Sequence, residues 1–233
     1  MPDVLHLTSS ERNPGIIMSN KSRRSFLKAG LIGGASAAFS GLASAAQQLR
    51  PTPDEVPGPF YPIFPQKDKD FDLTRIEGKS GEAKGAVITI EGRVLDTEGK
   101  PVEDASVELW QANAVGRYRH PHDPNMAPLD PNFQGWAIVA SGKEGQFRFK
   151  TVLPGPYPAS EAWMRPPHIH FKITKLGYVE LITQMYFPGE QLNGSDLLLI
   201  RKSKAEQELM IASLLEEGPL RYGYNIILQK AEG

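Results

Sequence analysis

Residues 157–170 read Y-P-A-S-E-A-W-M-R-P-P-H-I-H, and the chain runs on as F-K-I-T to Thr174. The run H-I-H-F-K-I alternates as a β-strand does, with successive side chains on opposite faces of the sheet. Strand geometry therefore puts His168 and His170 on one face and Ile169 on the other. Two imidazoles on one face can grip one metal ion. The sequence contains no cysteine, so a metal held here would be bound by nitrogen and oxygen donors alone.

The same patterning recurs along the chain. V-I-T-I-E-G-R-V (87–94) and A-S-V-E-L-W (105–110) alternate, and residues 146–152, 167–174, 179–187 and 224–229 add further strand-like runs. Gly- and Pro-containing turns separate them, D-T-E-G at 96–99 among them. Many short strands with few helices predict an all-β chain, an antiparallel β-sandwich with long loops. One helix is predicted in the C-terminal region. S-K-A-E at 203–206 is a capping box, Leu209, Ile211, Leu214 and Leu215 supply an apolar face, and Gly218 ends it. Residues 111–136 form a long polar segment, and a loop of that length in a compact domain is usually functional. Residues 46–85 are rich in Pro, Asp, Lys and Gly. They are expected to wrap the surface ahead of a single β-sandwich domain over residues 86–233.

The N-terminus reads differently. S-R-R-S-F-L-K (22–28) precedes an apolar run from Ala29 to Leu42, too short to span a bilayer. A-S-A at 43–45 has the small-residue spacing of a cleavage site. Paired arginines followed by Phe-Leu-Lys are similar to a twin-arginine export signal. Residues 1–45 are therefore expected to be a signal region, with Met18 as an alternative start and no stable membrane anchor. The mature protein is expected to be periplasmic or extracellular in a bacterium.

The 233 residues are 40% hydrophobic and 23% charged, enough for one buried core. The formal charge is −1 and no basic block follows the N-terminus, so nucleic acid is not an expected partner. Zero cysteines exclude disulfides, thiolate metal sites and a cysteine nucleophile.

Oxygen donors for a His168/His170 metal come forward in Tyr118, within G-R-Y-R-H (116–120), and Tyr157, within P-G-P-Y-P (154–158). Taken singly, each tyrosine is as readily a half-buried loop aromatic, and the histidine pair as readily packing. His120 and His122 form a second H-x-H, but Pro121 between them and Asp123-Pro124 after them make it loop, without an enforced common face. Two phenolates and two imidazoles would be an unusual zinc set, because zinc favours Cys, His and carboxylate. Tyrosinate, a hard anionic donor, suits Fe(III). A facial triad for Fe(II) would need a carboxylate beside the histidines, and Glu161 is the nearest in sequence. On the residues alone, a zinc or Fe(II) enzyme stays open. So does a metal-free transthyretin-like or carbohydrate-binding sandwich, which residues 92–110 would suit.

Six runs then stand in order: T-P-D-E-V-P-G-P-F-Y (52–61), E-L-W-Q-A-N (108–113) with G-R-Y-R-H (116–120), A-P-L-D-P-N-F (127–133), P-G-P-Y-P (154–158), R-P-P-H-I-H-F (165–171) and L-I-T-Q-M-Y-F (181–187). Together they resemble the intradiol ring-cleavage dioxygenases, and within them the protocatechuate 3,4-dioxygenase β-subunit type. The resemblance implies one non-haem Fe(III) per chain, held by Tyr118, Tyr157, His168 and His170. It implies a catechol-type substrate whose ring O₂ opens between the two hydroxylated carbons, giving a muconate-type diacid. It makes Tyr157 the axial tyrosinate that takes a substrate proton. Arg165 stabilises charge developing on the ring, and Gln184 helps to hold Arg165 and to orient substrate. Gly58, Pro59 and Tyr61, with Arg165, contact the substrate. Trp110 is expected to pack beneath the site. As a plain ion pair, Arg165 would find Glu161.

Two positions depart from the family pattern. Ala159 stands where β-type chains usually carry tryptophan, and Pro167 where alanine is common. The smaller residue at 159 is expected to open the cleft, which favours substituted catechols over protocatechuate itself. Family β-type chains also work with a different α-subunit, so a homo-oligomer or a related partner subunit is open.

Overall fold

A computed structural model describes residues 48–64, 66–216 and 220–232. The signal region expected over residues 1–45, with Met18, lies outside the described residues, and so does Gly218. The strands are β1 (Val87–Asp96), β2 (Ser106–Trp110), β3 (Trp136–Ala140), β4 (Gln146–Val152), β5 (Tyr157–Ser160), β6 (Trp163–Arg165), β7 (His168–Thr174) and β8 (Leu181–Tyr186). Helix α1 (Lys204–Met210) follows, and then β9 (Ser213–Glu216), β10 (Arg221–Gly223) and β11 (Ile226–Leu228).

One sheet has the order β11-β1-β10-β9, with β4 also on β1; the other runs β3-β2-β7-β8; β5 and β6 form a separate hairpin. Ile88, Ile90, Val94, Phe147 and Phe149 from the first sheet meet Val107, Leu109, Ile169, Phe171, Ile173 and Met185 from the second in one core. This is the expected sandwich, and its strands are mostly antiparallel. Two pairs are not. β10 and β11 both run parallel to β1, pairing at Thr89–Glu91 and Val94–Asp96 respectively. The ten-residue β1 is long enough to take both short strands in succession. Tyr224 N–H donates to the Glu91 carbonyl at 2.9 Å and the Asn225 side chain accepts from Arg93 N at 3.0 Å, which bridges the step between them.

The predicted helix is shorter than its apolar spacing suggested. The capping box forms: Ser203 accepts from Glu206 N, and the Glu206 carboxylate accepts from Ser203 N at 2.7 Å. The helix nevertheless stops at Met210, whose side chain is buried with Tyr186 and Leu199. Ile211 is extended, and residues 213–216 pair antiparallel with β10. Leu214 and Leu215 are therefore exposed strand residues. Sheet pairing satisfies this backbone in a way that local periodicity does not foresee.

The second sheet's register places the site. Trp110 lies opposite His170, His170 opposite Gln184, and His168 opposite Tyr186. Directly opposed residues share a face, so all five point away from the core. The N-terminal segment crosses this sheet without forming a strand of its own. Thr183 Oγ1 donates to the Pro53 carbonyl at 2.7 Å, Glu55 N to the Ile182 carbonyl at 2.8 Å and Gln184 Nε2 to the Val56 carbonyl at 2.9 Å.

Candidate active site

His168 and His170 sit two residues apart on β7 and are both buried. Trp110, from the neighbouring strand, lies stacked on His170 with centroids 4.8 Å apart and 8° between the planes. This is the packing expected of Trp110. His168 Nδ1 is 2.7 Å from the Pro166 carbonyl. A carbonyl accepts only, so the His168 proton is on Nδ1 and its Nε2 carries a bare lone pair. Burial is the main force that holds both imidazoles neutral, and the nearby Arg165 charge adds to it. His168 is pushed well below the usual range and His170 down to about 3.

The two tyrosines arrive on different loops that are clamped together. Asn113 Oδ1 accepts from Val115 N and Arg117 N, which folds residues 113–117 into a tight turn. Its backbone carbonyl accepts from Gly155 N at 2.9 Å. Gly116 has φ +77°, and a Cβ there would stand 2.2 Å from the Pro156 carbonyl oxygen. Only glycine allows that approach, and the approach brings the Tyr118 turn against Tyr157. The Asp123 carboxylate then accepts from Tyr118 N at 2.7 Å and fixes the start of the side chain. The Tyr118 and Tyr157 rings meet edge to face at 5.5 Å, with Phe60 packed on both.

Tyr118 Oη ends 3.1 Å from His170 Nε2 and 3.5 Å from His168 Nε2. One hydroxyl has one proton, so it can donate to one of these nitrogens only. The other ring nitrogen of His170, Nδ1, is buried without a partner. Two buried imidazoles and two buried phenols thus gather with little water and few other polar partners, a costly arrangement for polar groups. A cation that displaced the phenol protons would find two oxygen and two nitrogen donors here. The residues fit such a group, and tyrosinate oxygen with imidazole nitrogen suits hard Fe(III) better than zinc. Burial raises the pKa of both phenols, while Arg165 pulls each back toward ionisation. In the absence of a strong cation both therefore stay protonated. Among the described residues no group of three or more His, Cys, Asp or Glu side chains could hold a metal. Glu161, the carboxylate a facial triad would draw on, is exposed at the β5–β6 turn.

Arg165 stands opposite Tyr157 across the β5–β6 hairpin and is buried. Its partner is not Glu161. Nε donates to Asp196 Oδ2 at 2.9 Å, and Nη2 donates to Gln184 Oε1 at 2.6 Å and to Tyr186 Oη at 3.1 Å. Both ends of the Gln184 amide are engaged within the protein, so it positions Arg165 and ties down Val56. Asp196 and Tyr186 were not legible as site residues. Asp196 sits in N-G-S-D-L-L, which reads as a turn cap, and Tyr186 reads as a strand aromatic.

Gly58, with φ +72°, brings its backbone over His170, where a Cβ would lie 3.4 Å from Cε1. Pro59 beside it is exposed. Tyr61 is placed differently. Its ring packs edge-on against Trp110 at 5.0 Å and its hydroxyl donates to Glu108 Oε1 at 2.9 Å, so it buttresses the sheet behind the histidines. His120 packs near Phe60 and accepts from His122 N at 3.2 Å, a loop contact.

A protein-family model described as Dioxygenase matches residues 56–230. The protocatechuate 3,4-dioxygenase beta chain of Burkholderia cepacia is 42% identical over 182 residues, covering 73% of this chain and 77% of that protein. Chlorocatechol 1,2-dioxygenase of Cupriavidus pinatubonensis is 29% identical over 194 residues, 76% of this chain and 69% of that one. Among solved structures, 3-chlorocatechol 1,2-dioxygenase of Rhodococcus opacus 1CP aligns with a TM-score of 0.62 at 26% identity, covering 80% of this chain and 75% of that chain. The dioxygenase domain of a dioxygenase and carbohydrate-binding protein fusion from Streptomyces sp. SirexAA-E aligns at 0.58 and 26% identity, over 78% of this chain and 100% of that chain.

Proposed function

This chain belongs to the intradiol ring-cleavage dioxygenases, enzymes that open catechol-type rings with O₂, and we propose that it does so with one Fe(III) held by Tyr118, Tyr157, His168 and His170. The observation that carries this is the convergence of the Tyr118 hydroxyl on both histidine Nε2 atoms, with Tyr157 against it. Fe(III) would supply a Lewis acid and template that polarises the catechol and lets its ring pass electron density to O₂.

The chain's own groups do the rest. His168 and His170 stay neutral because burial disfavours imidazolium, so their lone pairs are available throughout the neutral range. As the tyrosinate, Tyr157 Oη would take a proton from one catechol hydroxyl, because burial favours its phenol form. Arg165, beside Tyr157 and held by Asp196, Gln184 and Tyr186, places a fixed positive charge where negative charge develops on the ring. Trp110 and Phe60 close the apolar side of the site and keep water from it.

The substrate is a protocatechuate-like or otherwise substituted catechol. Ala159 is exposed at the irregular step of the β5–β6 hairpin and leaves that rim open. O₂ uptake over a panel of catechols, with product identification, tests the proposal. Consumption of one O₂ per catechol with a muconate-type diacid supports it; an iron-loaded protein inert to the whole panel refutes it. The name of the Burkholderia relative, a beta chain, motivates the further proposal of a partner subunit or a second copy, readable as solution mass. Export by the signal at residues 22–45 is proposed on sequence alone. Changing Arg23 and Arg24 to lysine should hold the protein in the cytoplasm.

A further inference from the structure

A guanidinium as buried as that of Arg165 is costly unless it is paired and hydrogen-bonded. Asp196 supplies the pairing from 31 residues further along the chain, with both side chains almost wholly removed from solvent, at 4% and 0% exposure. Its own position is set by backbone. Oδ1 accepts from Leu198 N at 2.7 Å and Leu199 N at 3.3 Å, and its carbonyl accepts from Ile200 N at 3.0 Å. The carboxylate therefore caps the short 3-10 turn Leu199–Arg201 with one oxygen and offers the other to Arg165. On the far side, Tyr186 Oη accepts from Arg165 Nη2 and lies 3.3 Å from Gln184 Oε1, within donating reach.

The guanidinium is planar, so fixing Nε from one side and Nη2 from the other also fixes the direction of Nη1. Tyr157 stands directly opposite Arg165 across the β5–β6 hairpin, close enough for the guanidinium charge to favour its ionised form. A buried ion pair is in itself weak evidence for stability, since an apolar replacement is often no worse. Its geometric consequence is firmer: the cation cannot turn away from the phenol beside which substrate charge would develop.

We propose that Asp196, acting with Tyr186, is the positioning residue that aims Arg165 at the reacting ring. The inference rests on the dioxygenase reading of the site. It distinguishes two roles with opposite signs. If Asp196 merely balances charge, its removal leaves the Arg165 charge uncompensated in place, and anionic catechols bind tighter. If it positions, its removal lets Arg165 wander, and turnover falls.

The test uses Asp196→Asn in the iron-loaded full chain. Measured together are iron content, anaerobic binding of an electron-poor nitrocatechol by absorbance, and kcat and KM in the O₂ assay. Iron content should be unchanged, the nitrocatechol should bind no tighter, and kcat should fall about tenfold or more with a smaller change in KM. In an Arg165→Gln background the same substitution should add nothing further to the loss of kcat. Tyr186→Phe removes one hydroxyl and keeps the ion pair, so it stands in if Asp196→Asn does not fold. It should lower kcat about threefold with iron content intact. Tighter nitrocatechol binding with unchanged kcat would overturn the inference. So would an equal loss from Asp196→Asn with and without Arg165, or full activity in Tyr186→Phe. The function itself is judged separately, on turnover by the unmodified protein in the same assay.

Discussion

Trp110 lies flat on His170, with 4.8 Å between ring centroids and 8° between planes, and the two residues are directly opposed on β2 and β7. The indole covers one imidazole face while Tyr118 meets the Nε2 edge, so the ring cannot swing. Trp110→Ala should cost about 3–5 kcal/mol by leaving a cavity and should weaken iron retention. Trp110→Phe should keep a stacked ring and most of the iron. Thermal unfolding and metal analysis on the two variants check this; native iron retention in the alanine variant would show that the stack does not hold the ring.

Tyr157→Phe removes the proposed proton acceptor and one ligand but leaves Tyr118, His168 and His170 in place. Some iron should remain, and turnover should fall by about 10² or more, the usual scale of a lost general base. Steady-state O₂ uptake normalised to bound iron makes the measurement. Native turnover per iron would remove Tyr157 from the chemistry.

Gly58 holds φ +72° where the N-terminal segment passes over His170. Gly58→Ala should destabilise by about 1–2 kcal/mol, the cost of that conformation for a residue with a Cβ. The added methyl would sit 3.4 Å from His170 Cε1, an ordinary contact, so iron should still bind. Urea unfolding gives the first quantity and metal content the second. An unchanged midpoint would mean that the segment is not held in this conformation.

The metal-free protein should lose stability as pH falls below about 6.5. Burial, helped by the Arg165 charge, depresses the folded-state pKa of His168 and takes that of His170 to about 3. Unfolded histidines titrate near 6.5. Below that value the unfolded chain binds protons that the folded chain refuses, so the folded state is progressively disfavoured. The slope approaches about 1.4 kcal/mol per pH unit for each histidine. Above about pH 7 the two groups contribute no slope. Urea midpoints between about pH 7.5 and 5 read the effect, and His170→Asn should flatten it by one proton's worth. A pH-independent midpoint in the unsubstituted apoprotein would contradict the buried, neutral pair.

His168 and His170 were legible because strand alternation is local: two residues on, the side chain returns to the same face. The sandwich was legible for the same reason. Tyr118 and Tyr157 came forward from the residues only as candidates, and family resemblance alone joined them to the histidines, since their meeting depends on Gly155 bonding to Asn113 across some forty residues of chain. No periodicity records that contact. Asp196 was missed because its local signature is a cap, and its pairing with Arg165 exists only once β6 and the turn after β8 are packed together. β10 and β11 on the parallel side of β1, and β9 in place of a longer helix, were hidden likewise. Short C-terminal strands take their partners from the rest of the sheet, not from their own sequence. W-A-I-V-A at β3 was not read as a strand: the polar segment was taken to end at Trp136, which in fact begins it.

Metal content and colour test the four-donor site most directly. Protein produced with ample iron should carry one ferric ion per chain and a broad visible absorption from tyrosinate-to-iron charge transfer. That absorption should shift in Tyr157→Phe and vanish, with the iron, in His168→Ala. A colourless protein that takes up no iron, or a His168→Ala variant that retains it fully, would contradict the four-donor site.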